Sequence, residues 1–150
     1  MTTKTAVEDF VAQRKLALVG VSRGGKKFGN MAFKTLKQNG YCVFPINPYA
    51  ETIAGERCYP NLQALPEPVG GVLVVVPSNE TEQVVRDAAT AGIRRVWLQQ
   101  GAESEAAIRF CEENGIAVLH GECVLMFAQP VSSFHRCHRW IWKTLGKLPQ

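Results

Sequence analysis

The chain has 150 residues, which fits one domain and is long enough to bury about two thirds of its unfolded surface. Its 17 basic and 13 acidic residues give a net charge of +4, and Arg136, Arg139, Lys143 and Lys147 in an acid-free C-terminal stretch account for the whole excess. A nucleic-acid-binding surface is therefore not expected, nor is a membrane span, and the N-terminus lacks the basic-then-apolar layout of a secretory signal. Cys42, Cys58, Cys111, Cys123 and Cys137 are odd in number and widely scattered, which points to reduced thiols in a cytoplasmic protein.

In chain order, residues 7–13 predict a short amphipathic helix with Val7, Phe10 and Val11 on one face. Residues 16–21 are an apolar first strand. Residues 31–38 read as a helix with Met31, Phe33 and Leu36 available for burial, closed by Asn39-Gly40. A second strand over 41–46 ends at Asn47-Pro48. A polar segment with Gly55 and Pro60 follows, including a helical turn near 62–65. Residues 72–76 form a continuous β-branched run, the mark of a strand covered on both faces, and Pro77 stops it. Ser78 or Asn79 is expected to cap a helix running to Ala91. A fourth strand (95–99), a helix (103–113) and a fifth strand (116–119) complete the pattern.

Strands alternating with helices of this length imply βαβ units. The predicted fold is α/β, a Rossmann-like three-layer sandwich on a five-stranded parallel sheet in order 3-2-1-4-5. Residues 1–130 would form this domain and residues 131–150 a basic aromatic C-terminal helix or tail. In such sheets the ligand sits beyond the carboxyl ends of the strands where the winding reverses, here between strands one and four. The turns 20–29, 47–49, 77–79 and 99–101 would meet there.

The stretch LALVGVSRGGKKFG, residues 16–29, passes from apolar strand to Gly-rich turn to helix, the order in which α/β proteins build phosphate sites. Gly20, Ser22 and Gly25 match a dinucleotide fingerprint with serine in place of its middle glycine. Read as a Walker A motif, GVSRGGKK matches through Lys26 and fails at Lys27, where Ser or Thr should hold Mg²⁺. A turn that only reversed direction would not need the charge of Arg23, Lys26 and Lys27. After strand two, Asn47, Pro48 and Tyr49 offer no carboxylate before Glu51, whereas NAD sites place an acid there for the ribose hydroxyls. Cations without an acid suit a phosphorylated ribose. NADP and coenzyme A both have one, and the residues alone do not separate the two.

The segments LALVGVSRGGKKFG, YCVFPINPYAETIAGERCYPNLQALP, VLVVVPSNET, VWLQQGAESEAA and GECVLMF together resemble the coenzyme A-binding domain. That domain occurs as small standalone proteins and as the N-terminal domain of the succinyl-CoA synthetase α subunit. The resemblance runs from about Leu16 to about Phe127, and its most specific part is V-x-P-I-N-P followed by Gly and Y-P-x-L. It implies that Ser22, Arg23, Gly24 and Gly25 contact the phosphates, that Asn47 and Pro48 border the nucleotide, and that Val76, Pro77 and Ser78 line its other side. The GGKK turn departs from the Pro-containing loops common in the family.

The expected function is noncatalytic binding of coenzyme A or acyl-CoA, with Gly20, Lys26 and Lys27 added to the site from the phosphate-turn reading. The alternatives are an NADP-dependent oxidoreductase and a regulatory interaction domain that has lost its ligand. Cys123, just after strand five, is within reach of a pantetheine thiol; a mixed disulfide is weighed against a buried structural thiol, which is preferred. His120, Cys123, His135, Cys137 and His138 lack the repeated C-x-x-C or H-x₃-H pairs of zinc sites, so no metal is expected. Phe134, Trp140, Ile141, Trp142 and Leu145 among the terminal cations predict a basic helix, packed on the domain or meeting a protein partner or an anionic surface.

Overall fold

The apolar runs become a parallel sheet with helices on both faces. The computed structural model describes residues 3–22 and 28–128, so the predicted C-terminal helix lies outside the described residues. The elements are α1 (Lys4–Val11), β1 (Lys15–Val19), α2 (Phe28–Gln38), β2 (Cys42–Ile46), β3 (Thr52–Ile53), β4 (Glu56–Arg57), β5 (Gly71–Val74), α3 (Ser78–Thr90), β6 (Arg95–Leu98), α4 (Glu105–Glu113) and β7 (Ala117–His120). Short 3-10 turns occupy Leu62–Ala64 and Val124–Met126.

The five-stranded sheet has the order β2-β1-β5-β6-β7, every pairing parallel. This bears out the α/β Rossmann-like class and corrects the strand order. Counting only the strands of this sheet, the order is 2-1-3-4-5 rather than 3-2-1-4-5, because β5 pairs directly with β1. One feature of the structure and one of the sequence accord with it. All four residues of β5 are buried, which needs a strand on each side and a helix layer on each face. Pro45 lacks an N–H and so belongs on an edge strand; its carbonyl accepts from Tyr59 N–H (3.0 Å) on the side away from β1, so no ladder bond to β1 is lost. The winding therefore reverses between β1 and β5, not between strands one and four.

Two cores flank the sheet. One holds Val7 and Phe10 of α1 and Ala32, Phe33 and Leu36 of α2 against Leu18, Leu73, Trp97 and Leu119. The other packs Val85 and Ala88 of α3 and Ala107 and Cys111 of α4 against Ala17, Val72, Val74, Val96 and Leu98. In α2 the buried stripe is Gly29, Ala32, Phe33 and Leu36, a helical i, i+3, i+4, i+7 set. Met31 falls off that stripe and is 52% exposed, contrary to its expected burial. Gly40, with φ +94, closes α2 as the Asn39-Gly40 pair predicts. The β3–β4 hairpin in the polar segment was not anticipated.

Cys111 is fully buried on α4, and burial, aided by the charge of Glu112, pushes its thiol up to about 11. The folded chain thus keeps a proton that the unfolded chain releases near the ordinary thiol value. The stabilisation is complete below that value and is lost as pH climbs to about 11. Urea melts at stepped alkaline pH should show wild-type stability falling through this window with a steeper slope than that of Cys111→Ala. Equal slopes would contradict the assignment.

Candidate functional site

The carboxyl edge is assembled from turns that lock onto one another. Gly20 follows β1 with φ +129, and a Cβ there would lie 2.1 Å from the carbonyl oxygen of Val75, just past β5. Only glycine allows both that backbone conformation and that approach. Gly29, in the first turn of α2, would place a Cβ 2.3 Å from the Gly20 carbonyl oxygen. The close helix–strand contact made in dinucleotide sites by the last glycine of the fingerprint is thus made here by Gly29, four residues beyond Gly25.

Asn30 fastens the two ends of the turn. Its Oδ1 accepts from the Ser22 N–H (3.0 Å) and the Ser22 hydroxyl (3.3 Å), and its Nδ2 donates to the Ser22 carbonyl (2.8 Å). Asn47 adds the turn after β2: its Nδ2 donates to the Val21 carbonyl (3.0 Å), and its Oδ1 accepts from Tyr49 N–H (2.7 Å). Tyr49 itself is 81% exposed. Gly20, Ser22 and Asn47 are accordingly brought together, with Pro48 beside them in sequence. The Gly20–Val75 contact joins this group to Val76, Pro77 and Ser78. Val76 is half-buried, and Pro77 and Ser78 are exposed. Arg23, Gly24, Gly25, Lys26 and Lys27 lie outside the described residues, between Ser22 and Phe28.

The cap of α3 precedes both expected ones, Ser78 and Asn79. Pro77 takes the cap position with no side-chain bond to the helix, and Ser78 is the first helical residue rather than the cap. The first N–H groups of α3 thus have no side-chain cap at the edge where β5 ends. Thr81, fully buried, instead donates from Oγ1 to the Ala102 carbonyl (2.7 Å), tying α3 to the turn after β6. Cys123 is a half-buried thiol beyond β7. Among the described residues, no cluster of His, Cys, Asp or Glu is arranged to hold a metal; His135, Cys137 and His138 lie outside them.

Sequence reasoning missed Asn30 and Thr81 as builders of this edge, and it included Gly29 and Gln99 in turns that meet there without giving either a role of its own. Asn30 carried a usable signal: a short amide just past a Gly-rich turn competes for backbone hydrogen bonds. Replacing it with Ala strands the Ser22 N–H and carbonyl. Asn30→Ala should destabilise the fold by about 1–3 kcal/mol in urea titration. A loss under about 0.5 kcal/mol, typical of a neutral surface change, would contradict its role.

Residues 14–129 match the family described as the CoA binding domain. The chain is 27% identical over 124 residues to the ADP-forming acetate–CoA ligase II of Archaeoglobus fulgidus, covering 75% of this chain and 18% of the ligase. It therefore spans less than a fifth of that enzyme's length. Protein YneT of Bacillus subtilis is 24% identical over 123 residues, covering 81% of this chain and 91% of YneT. Among solved structures, a conserved hypothetical protein from Pyrococcus furiosus superposes with a TM-score of 0.72 at 40% identity, covering 75% of this chain and 97% of that one.

Proposed function

The chain belongs to the CoA binding domain family, and on that premise we propose that it is a noncatalytic module holding coenzyme A, free or acylated, at the β1/β5 switch point. The observation that carries this reading is the joint anchoring of Ser22 by Asn30 and of Gly29 by Gly20. It ties both ends of a segment containing Arg23, Lys26 and Lys27 to the place where open α/β sheets bind nucleotides.

In this proposal Arg23, Gly24, Gly25, Lys26 and Lys27 meet the diphosphate and the 3′-phosphate, the lysines as compact point charges. The Ser22 hydroxyl joins them. Its 3.3 Å contact with Asn30 is longer than a good O–H···O bond and is easily exchanged for a phosphate oxygen. Asn47 and Pro48 border the nucleotide, and Val76, Pro77 and Ser78 form its other wall. Gly20 supplies the close approach. The noncatalytic reading is supported by the partner of Ser22, an amide with no basic site to activate a hydroxyl. A cytoplasmic setting agrees with the free thiols of Cys42, Cys58, Cys111 and Cys123. Among the described residues, no helix is long and apolar enough to cross a membrane.

The test is calorimetric titration with coenzyme A, dephospho-coenzyme A, NADP and NAD at two salt concentrations. Coenzyme A should bind best, losing affinity without its 3′-phosphate and at higher salt. Preference for NADP would replace this reading with a nicotinamide cofactor site, and no binding of any of the four would overturn it. Acetyl-coenzyme A incubated with the protein should keep its thioester; thiol release above the buffer rate would overturn the noncatalytic part.

A further inference from the structure

Gln99 directly follows β6 at the carboxyl edge and is 4% exposed. Its backbone N–H donates to the Val74 carbonyl (3.0 Å), and its own carbonyl accepts from Ala102 N–H (2.8 Å). The side-chain Oε1 accepts from the Val124 N–H (3.1 Å). The other half of the amide is different. Nε2 carries two donors, and no acceptor among the described residues is bonded to either. A buried primary amide whose donors meet no acceptor among the described residues is uncommon, because burial removes their hydrogen bonds to water.

The position of this amide gives it a use. Side chains alternate along β6: Val96 and Leu98 join the core under α3 and α4, and Trp97 joins the one under α1 and α2. Gln99 continues the Trp97 side, and its partner Val124 belongs to that same core. The chain also leaves β1 for α2 on this side, and the neighbouring strand β5 runs into Val75, whose carbonyl abuts Gly20. The amide thus lies two strands along from β1, on the face and edge where the diphosphate is placed above. In the coenzyme A reading above, the pantetheine arm runs from a diphosphate at the switch point along this edge. That arm carries two secondary amides, whose carbonyls are acceptors.

We propose that Gln99 Nε2 donates a hydrogen bond to a pantetheine amide carbonyl, making Gln99 a specificity residue that favours the whole coenzyme over its bare nucleotide. This rests on the coenzyme A reading above. Oε1, held by the Val124 N–H, fixes which way the amide faces, so the donor is preorganised, and no acceptor among the described residues is bonded to it.

The experiment compares coenzyme A with 3′-phospho-ADP, which has the same nucleotide and diphosphate without the arm, on wild type and on Gln99→Met. Methionine matches glutamine in length and has no donor. Coenzyme A affinity should fall about tenfold in Gln99→Met while 3′-phospho-ADP affinity stays unchanged. Because Met also gives up the bond to Val124, a second measurement uses wild-type protein. The Gln99 side-chain amide protons, followed by ¹⁵N-edited NMR, should shift and exchange more slowly with coenzyme A but not with 3′-phospho-ADP. Equal changes for both ligands, or none for either, would overturn the role of Gln99 and leave the coenzyme A reading standing. Failure of wild type to bind coenzyme A at all would overturn both.

Discussion

Gly20→Ala should cost the domain about 3 kcal/mol or more and abolish coenzyme A binding in whatever fraction stays folded. Two penalties combine. A φ of +129 is strained for any residue with a Cβ, and the added carbon would sit 2.1 Å from the Val75 carbonyl oxygen. The obstruction is backbone, so no side chain can rotate away; β1 and β5 would have to part at the switch point itself. Gly101→Ala separates the two effects, since Gly101 has φ +94 with nothing within 4 Å of its would-be Cβ. It should lose only the conformational part, about 1–2 kcal/mol. Gly29→Ala is the complement: its Cβ would lie 2.3 Å from the Gly20 carbonyl oxygen, prying α2 from β1 despite alanine's better helix propensity. Urea denaturation midpoints for the three variants check the ordering. Gly20→Ala as stable as Gly101→Ala would show that the Gly20–Val75 approach does not govern the turn.

Trp97→Ala should be comparably damaging, about 3–5 kcal/mol, a large part of the stability of a domain this size. Trp97 is fully buried at the middle of β6, with its ring centroid 5.3 Å from that of Phe10, so it links the sheet to α1. Its Nε1 also donates to the Glu122 carbonyl (3.0 Å). Together with the Gln99–Val124 bond, this clamps the segment after β7 onto β6 at two points. Trp97→Phe keeps an aromatic ring but orphans the Glu122 carbonyl and leaves a void, for an expected loss of about 1–3 kcal/mol. Equilibrium unfolding monitored by far-ultraviolet circular dichroism measures both. If Trp97→Ala lost less than Trp97→Phe, burial of this ring would not be what secures the edge.

What could be read beforehand follows from the range of the interactions involved. Strands such as β5 and helices such as α3 declare themselves through β-branched runs, proline stops and periodic burial, which are local properties. Strand order is not local. The sequence did hold one hint: Pro45 inside β2 marks an edge strand, and giving it full weight would have put the third strand beside β1. The β3–β4 hairpin escaped because its strands have two residues each and its turn puts Ala54 at φ +53, without the Asn-Gly or Asp-Gly pair that announces such turns. Met31 was misplaced because it stands two residues from Phe33, on the opposite side of a helix with about 3.6 residues per turn, and so off the Gly29, Ala32, Phe33 and Leu36 stripe. In the site, the phosphate turn and the Asn47-Pro48 turn were legible as motifs. Asn30 and Gln99 were not, since each owes its role to a partner, Ser22 or Val124, that only the folded chain brings near.

The most direct test of the central claim is a crystal structure of the protein grown with coenzyme A. Density for the diphosphate over the turn that joins β1 to α2, between the ends of β1 and β5, with the adenosine beside Asn47 and Pro48, is the predicted result. A nucleotide bound on another edge or face of the sheet, with the 20–29 turn empty, would contradict it.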